Sequence, residues 1–247
     1  LPICFVVGAV VGLVASLPAR GGTGIHYALV TVGAQVVITD VDLAECEAVA
    51  GEVRSASGEA TCFKLDVSDK ADVNKVFDQV IAKYGRVDIL VNNAGISGSA
   101  VGNIDALEGW QRIMAVNSTS VFLGTKHAAA EMAKAGKGSI VNISSIMGFV
   151  GSEDSHPGYA ASKGALNTLT LSLARWFGPA VRVNTVCPGF IQTRWLLGAL
   201  GQENYEKLKE AQEQTTPLRQ AGTPEQMAEA VIFFLTSASN ITGEFLI

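Results

Sequence analysis

Short runs of apolar and β-branched residues alternate along this chain with longer stretches in which apolar positions recur every three or four residues. The first pattern predicts strands at Val36 to Thr39, Ala60 to Leu65, Ile89 to Asn92, Ser139 to Ile143 and Arg182 to Val186. The second predicts helices at Leu43 to Ala56, Lys70 to Tyr84, Leu107 to Ala135 with an interruption, and Tyr159 to Phe177. Strands separated by helices pair in parallel, because each crossover helix returns the chain to the end of the sheet where the previous strand began. These strands are apolar throughout, as strands covered on both faces are. The expected fold is α/β, a doubly wound parallel sheet, whose ligands bind beyond the carboxyl ends of the strands.

No repeat, low-complexity tract or linker breaks the pattern, so residues 1–247 are read as a single domain. One stretch differs in character. From Thr193 to Thr223 the chain is helical and rich in Glu, Gln and Lys, and it reads as a lid inserted at about 193–223.

Composition narrows the function classes. Apolar residues at 48% and charged residues at 17% suit a packed core and exclude a disordered chain. A net charge of −5 without a basic run argues against nucleic acid as a partner, since phosphates require clustered Lys and Arg. Cys4, Cys46, Cys62 and Cys187 show no CxxC spacing, so no metal site and no disulfide framework is expected; they read as buried thiols of a cytoplasmic protein. The uncharged run from Leu1 to Ala19 approaches the ~20 residues that span a bilayer. No basic residue precedes it, Pro2 and Pro18 punctuate it, and Gly8 and Gly12 dilute it, so it reads as strand and loop, with no membrane partner. A tethered form anchored by Leu1 to Leu17 is the rival reading. The first residue is Leu, so the natural amino terminus is expected to be missing or processed.

Val36 to Asp40 is an apolar strand closing on an acid, where a carboxylate can accept hydrogen bonds from an adenosine ribose and repel a 2′-phosphate. Val41 and Asp42 follow it, with no Lys or Arg, so NAD(H) is expected over NADP(H). Taken alone, Asp40 reads equally as a turn or capping residue. Asp66, with Val67, repeats the arrangement one strand later and can receive an adenine amino group or cap the helix from Lys70. Asn92-Asn93-Ala94-Gly95 puts small residues at a strand end, which lets the backbone approach a flat ligand.

A phosphate-binding turn should lie between the first strand and first helix. Gly8 and Gly12 supply two of its three glycines after a strand at Ile3 to Val7, but Val14 stands at the third position. A second register takes Val10 to Ala15 as the strand and places Ser16, Arg20 and Gly22 at the glycine positions. It leaves an intact helix from about Gly22 to Val32 and is preferred, which makes Ser16, Gly21 and Gly22 the expected pyrophosphate contacts.

Tyr159 and Lys163 stand four residues apart on a predicted helix, and so share one face. A phenol ordinarily titrates near ~10 and becomes a usable acid/base only when nearby positive charge stabilises its anion. Lys163 provides such a charge; an exposed, idle pair is the plain alternative. The strand Ser139 to Ile143 ends on Ser144 and Ser145, so a hydroxyl emerges near Tyr159 that can steady a substrate carbonyl or merely cap a turn. Asn117 is a poor helix former inside a helical run, and either kinks it, holds water or lies exposed.

In this order and spacing, Asp40, Asp66-Val67, Asn92-Asn93-Ala94-Gly95, Asn117, Ser145, Tyr159-Ala160-Ala161-Ser162-Lys163 and Pro188-Gly189-Phe190-Ile191-Gln192-Thr193 resemble the classical short-chain dehydrogenases/reductases. The chain is similar to acyl-carrier-protein ketoreductases and to sugar or hydroxysteroid dehydrogenases, over roughly Val36 to Leu246. The resemblance implies a Rossmann-type fold and an NAD(H)-dependent interconversion of a ketone and a secondary alcohol. It implies that Ser145, rather than Ser144, orients the carbonyl and that Tyr159 exchanges the hydroxyl proton. Lys163 would hold the nicotinamide ribose, and Asn117 a water that continues a proton relay. Asn93, Ala94, Gly95, Pro188 and Gly189 would line the cofactor, with Ile191 and Thr193 meeting its carboxamide. It also implies a homotetramer, or a dimer if the carboxyl-terminal contacts are lost. The chain departs from the family at the glycine turn and at its end, where Ile241 to Ile247 stops before the usual Val-Asp-Gly-Gly.

Substrate contacts are expected from His156 and Trp195, with Met147, Phe149, Val150, Leu196 and Leu197 forming an apolar pocket or ordinary core. His156 reads as a second acid/base or as a solvated loop histidine. A binding protein that kept the fold and lost turnover is the competing class. The disturbed glycine turn motivates it, and the set Asn117, Ser145, Tyr159 and Lys163 opposes it.

Overall fold

The computed structural model describes residues 3–7, 33–97, 107–151 and 156–247. Its centre is a seven-stranded parallel sheet in the order β3-β2-β1-β4-β5-β6-β7. The strands are β1 (Ile3–Val7), β2 (Gln35–Asp40), β3 (Glu59–Lys64), β4 (Ile89–Asn92), β5 (Gly138–Ile143), β6 (Val181–Val186) and β7 (Phe245–Leu246). The helices are α1 (Leu43–Ser55), α2 (Lys70–Tyr84), α3 (Leu107–Met114), α4 (Ser120–Lys134), α5 (Pro157–Phe177), α6 (Arg194–Thr215) and α7 (Pro224–Ile232). The order reverses between β1 and β4, and the crevice at that switch point is where a doubly wound sheet takes its ligand.

Two sequence readings are corrected. The slot between β2 and β4 is filled by Ile3–Val7, in register Ile3 to Gln35 and Cys4 to Ile89, not by Val10 to Ala15. Five uninterrupted apolar residues suit a strand covered on both faces better than a run containing Gly12, which weakens a strand interior. Ser16, Gly21 and Gly22 lie outside the described residues. The second correction concerns cysteines: Cys46 of α1 and Cys62 of β3 are paired as a disulfide, with Cα atoms 6.0 Å apart, while Cys187 is a buried free thiol. A sequence separation of 16 hid a contact created by the packing of α1 directly on β3.

Local chemistry fixes the helix ends. Asp69 accepts from the Ala71 and Asp72 amides and starts α2, and Gly85, at φ 72°, ends it. Within α2, Val73, Val76, Phe77 and Val80 repeat at helical spacing and are buried. They pack with Val37, Leu90, Ile140 and Val183 on one face of the sheet. Val36, Ile38, Val91 and Val141 point to the other face and pack against Val49 and Val53 of α1 and Val231 of α7. Each such side chain contributes roughly 1.5–3 kcal/mol by leaving water.

A polar ladder crosses this apolar centre. The Asn92 amide donates to Asn142 Oδ1 at 2.8 Å, the Asn142 amide donates to Thr170 Oγ1 at 2.9 Å, and Thr170 and Thr185 share a 2.7 Å bond. It ties β4, β5 and β6 to α5, the helix that carries Tyr159 and Lys163.

Candidate active site

A cavity of about 380 Å³ runs along the carboxyl edge of the sheet. At one end lie Asp40, Val41, Asp66, Val67 and Arg112, and at the other Ser144, Tyr159, Lys163 and Trp195, with Asn93, Ala94, Gly95 and Ile96 between them. The positions that follow β2, β3, β4 and β5 thus converge from distant parts of the sequence.

The Lys163 ammonium is buried and donates to the Ile143 carbonyl at 2.8 Å. It stands 5.7 Å from the centre of the Tyr159 ring. Burial pulls Lys163 down to about 8, with the nearby Cys187 opposing that shift. Burial also pushes the Tyr159 phenol above its ordinary range, partly offset by a hydrogen bond with Ser145. Ser145 closes β5 in extended conformation, and its Oγ accepts from the Met147 amide at 3.2 Å. The two serines therefore divide: Ser144 lines the cavity and donates to the Lys163 carbonyl at 3.2 Å, whereas Ser145 donates to the Pro188 carbonyl at 3.5 Å and is the serine that acts on the phenol's pKa.

Asn117 is fully buried in a π-helical turn, Ala115–Thr119, which interrupts the predicted Leu107 to Ala135 helix. Its amide donates to the Ile96 carbonyl at 2.8 Å and to Ser162 Oγ at 3.0 Å, while its Oδ1 accepts from the Ile96 amide at 2.9 Å. The side chain thus staples the segment after Gly95 to α5. A Cβ added at Gly95 would stand 3.5 Å from Lys163 Nζ and 3.6 Å from Asn117 Oδ1.

At the acidic end, burial raises Asp40 above the ordinary carboxylate range, and the Asp42 amide, 2.8 Å from Oδ1, opposes it. Helix α1 is capped by Asp42, so capping is not the role of Asp40. Asp66 is not a helix cap either, since Asp69 starts α2. Burial pushes Asp66 up, but Ser68 and Arg112 hold it below the ordinary range. Arg112 pairs with Asp66 at 3.6 Å and also bonds the Ser68 hydroxyl.

Beyond β6, the Pro188 carbonyl accepts from the Ile146 amide at 3.0 Å, and Ile191 bridges to Gly222. Thr193 is buried and caps α6 through the Leu196 amide. Pro188, Gly189, Ile191 and Thr193 do not line the cavity wall. Helix α6 carries Trp195 onto the wall, and Gly201, at φ 73°, breaks it in a conformation that favours glycine. His156 is not on the wall; it caps α5. Among residues that sequence reasoning did not single out, Arg112, Ile96 and Val116 line the cavity. Only the fold brings Arg112 to Asp66, and a lone Arg on a helix carries no signal of it. Among the described residues, no group of His, Cys, Asp or Glu is placed to hold a metal, and no helix is long and apolar enough to cross a membrane.

The family described as Enoyl-(Acyl carrier protein) reductase matches residues 21–247. The 3-oxoacyl-(acyl-carrier-protein) reductase FabG of Thermotoga maritima is 32% identical, covering 99% of this chain and 94% of its own length. A 3-alpha-(or 20-beta)-hydroxysteroid dehydrogenase of Mycobacterium tuberculosis is 36% identical, covering 97% of this chain and 89% of its own. In structure, NAD+-bound xylitol dehydrogenase superposes with a TM-score of 0.86 at 25% identity, covering 99% of this chain and 96% of that one. This chain belongs to the short-chain dehydrogenase/reductase family, oxidoreductases that act on alcohols and ketones.

Proposed function

We propose that this protein is an NAD(H)-dependent dehydrogenase/reductase that interconverts a small-molecule ketone and a secondary alcohol, with Tyr159 as general acid/base. The observation that carries the reading is the grouping of Tyr159 and the Lys163 ammonium at one end of the cavity, with Ser145 beside the phenol. The donor set fits a nicotinamide dinucleotide: carboxylates that accept from hydroxyl and amino groups at one end, an ammonium donor at the other, and Gly95 and Ala94 between. When bound, that cofactor supplies the hydride to a carbonyl carbon or takes it from a carbinol carbon.

The chain's own residues handle the proton. In reduction, Ser145 donates to the carbonyl oxygen as negative charge grows there, and Tyr159 transfers its phenolic proton to that oxygen. In oxidation the same proton returns to the phenolate. Burial keeps Tyr159 protonated, which readies it for reduction, and the Lys163 charge lowers the cost of the phenolate that follows. Lys163 has three N–H groups and Ile143 takes one, which leaves the ammonium able to hold ribose hydroxyls.

Asp40 supports NAD(H) over NADP(H), because a 2′-phosphate placed beside its carboxylate would meet like charge. Arg112, a cation on the same cavity, is engaged by Asp66. The test is a panel of ketones and secondary alcohols, with NADH and NADPH in turn, followed at the nicotinamide absorbance. Turnover with a higher kcat/KM for NADH supports the reading; turnover favouring NADPH contradicts the cofactor assignment, and no turnover of any carbonyl or alcohol contradicts the activity.

A further inference from the structure

We infer that His156 is a positioning residue whose buried imidazole caps the first turn of α5 and thereby fixes Tyr159. The inference rests on the reading of Tyr159 as the acid/base. A helix begins with amide donors that no preceding turn can satisfy, and Ser, Thr, Asp and Asn are the usual residues that accept from them. In α5 a histidine does so. Pro157 follows it and has no N–H. The next donor, the Gly158 amide, goes to His156 Nδ1 at 3.0 Å, and the amide of Tyr159 itself goes to the His156 carbonyl at 2.8 Å. The first two donors of the helix, that of Tyr159 included, thus end on one residue.

Accepting at Nδ1 requires a lone pair there, so the ring carries its proton on Nε2. That nitrogen is buried without a hydrogen-bond partner among the described residues, on a side chain only 7% exposed. An unpartnered buried N–H is a cost that an apolar side chain of similar size would avoid. What the imidazole offers in exchange is the acceptor at Nδ1. The surroundings hold the ring in place. A Cβ at Gly109 of α3 would lie 3.8 Å from Nε2, and a Cβ at Gly158 would lie 2.9 Å from Nδ1 and 3.3 Å from Trp110 Cε3. Glycine at 158 therefore leaves the space that the ring occupies.

Tyr159 depends on this turn more than Lys163 does. Lys163 is a full turn deeper and is anchored to Ile143, whereas Tyr159 is the third residue of the helix, where ends fray. Small displacements of a group that transfers a proton are costly to rate.

The experiment compares His156→Asn, which keeps an acceptor at the Nδ1 position, with His156→Gln, whose amide lies one methylene farther out, and His156→Leu. Thermal midpoint, NADH affinity and amide exchange at Gly158 are read beside the kinetics. The expected result is a kcat lower by between about five- and a hundredfold for Gln and Leu, the span from a lost cap to a misplaced catalytic group. KM and NADH affinity should stay within about twofold, and the Asn variant should recover most of the turnover. Faster exchange at Gly158 should accompany the loss. If the Leu variant does not fold, the Asn and Gln pair decides. Gln turning over like the parent, or Asn as impaired as Gln, overturns the inference. Tyr159→Phe is measured in parallel. Its inactivity beside fully active His156 variants removes only the positioning role, while its full activity removes the acid/base reading and this inference with it.

Discussion

Lys163 holds its ammonium inside the protein at 4% exposure, and burial brings it down to about 8 from 10.5. Between those values the unfolded chain carries a proton that the folded chain does not, so this group makes stability rise with pH across that window. Cys187, pushed up to about 11 by burial, acts in the opposite sense above 9, where the folded thiol keeps a proton that the unfolded one has lost. A Lys163→Met variant isolates the first effect. In urea titrations without cofactor, its stability relative to the parent should be greatest near neutral pH and decline from about pH 8 upward. A difference constant through that range would contradict the burial of a titrating ammonium. At Asp40, replacement by Ser should erode the preference for NADH over NADPH, and Arg should erode it further, read as the ratio of kcat/KM values. An unchanged ratio would exclude Asp40 from cofactor choice. Residues like these were legible because their meaning is local: a strand end for Asp40 and a one-turn spacing for Tyr159 and Lys163. Arg112 and the cap made by His156 were not, because each takes its role from contacts that the sequence does not print.

Helices and strands follow from patterns that survive translation into contacts. Asp69 and Gly85 bracket α2, and Thr223 with Gln226 forms a reciprocal cap at α7. The interruption expected between Leu107 and Ala135 exists, but as a π turn whose purpose is visible only through Ile96 and Ser162, the partners of Asn117. The ladder from Asn92 through Asn142 to Thr170 was also hidden, since Asn92 reads from sequence as part of a small-residue turn. That ladder makes a prediction of its own. Asn142→Leu leaves one N–H of the Asn92 amide without its partner, at about 1–3 kcal/mol, while the Thr170 hydroxyl keeps Leu166 and Thr185. Chemical denaturation should show the loss, and kcat should fall as well because α5 carries Tyr159. A variant as stable as the parent would mean that the ladder is replaceable.

For the whole molecule, the parallel doubly wound sheet was legible from the alternation of elements, whereas the identity of its central strand was not. Two apolar runs competed, Ile3 to Val7 and Val10 to Ala15, and only pairing with both Gln35–Asp40 and Ile89–Asn92 separates them. The outer helices leave apolar groups in solvent, among them Trp176 at 82% exposure, Phe122 and Leu171. Exposed apolar side chains on neighbouring helices mark an association surface. The expected assembly is a homotetramer built through these helices, and light scattering at micromolar concentration checks it; a stable monomer would contradict it. Trp176→Glu should shift the mass toward smaller species. The proposed proton transfer runs through one phenolic hydroxyl. In Tyr159→Phe, steady-state turnover of a ketone with NADH should fall by at least about a hundredfold, with the fold and NADH affinity kept. Turnover at near the parent rate would contradict the account.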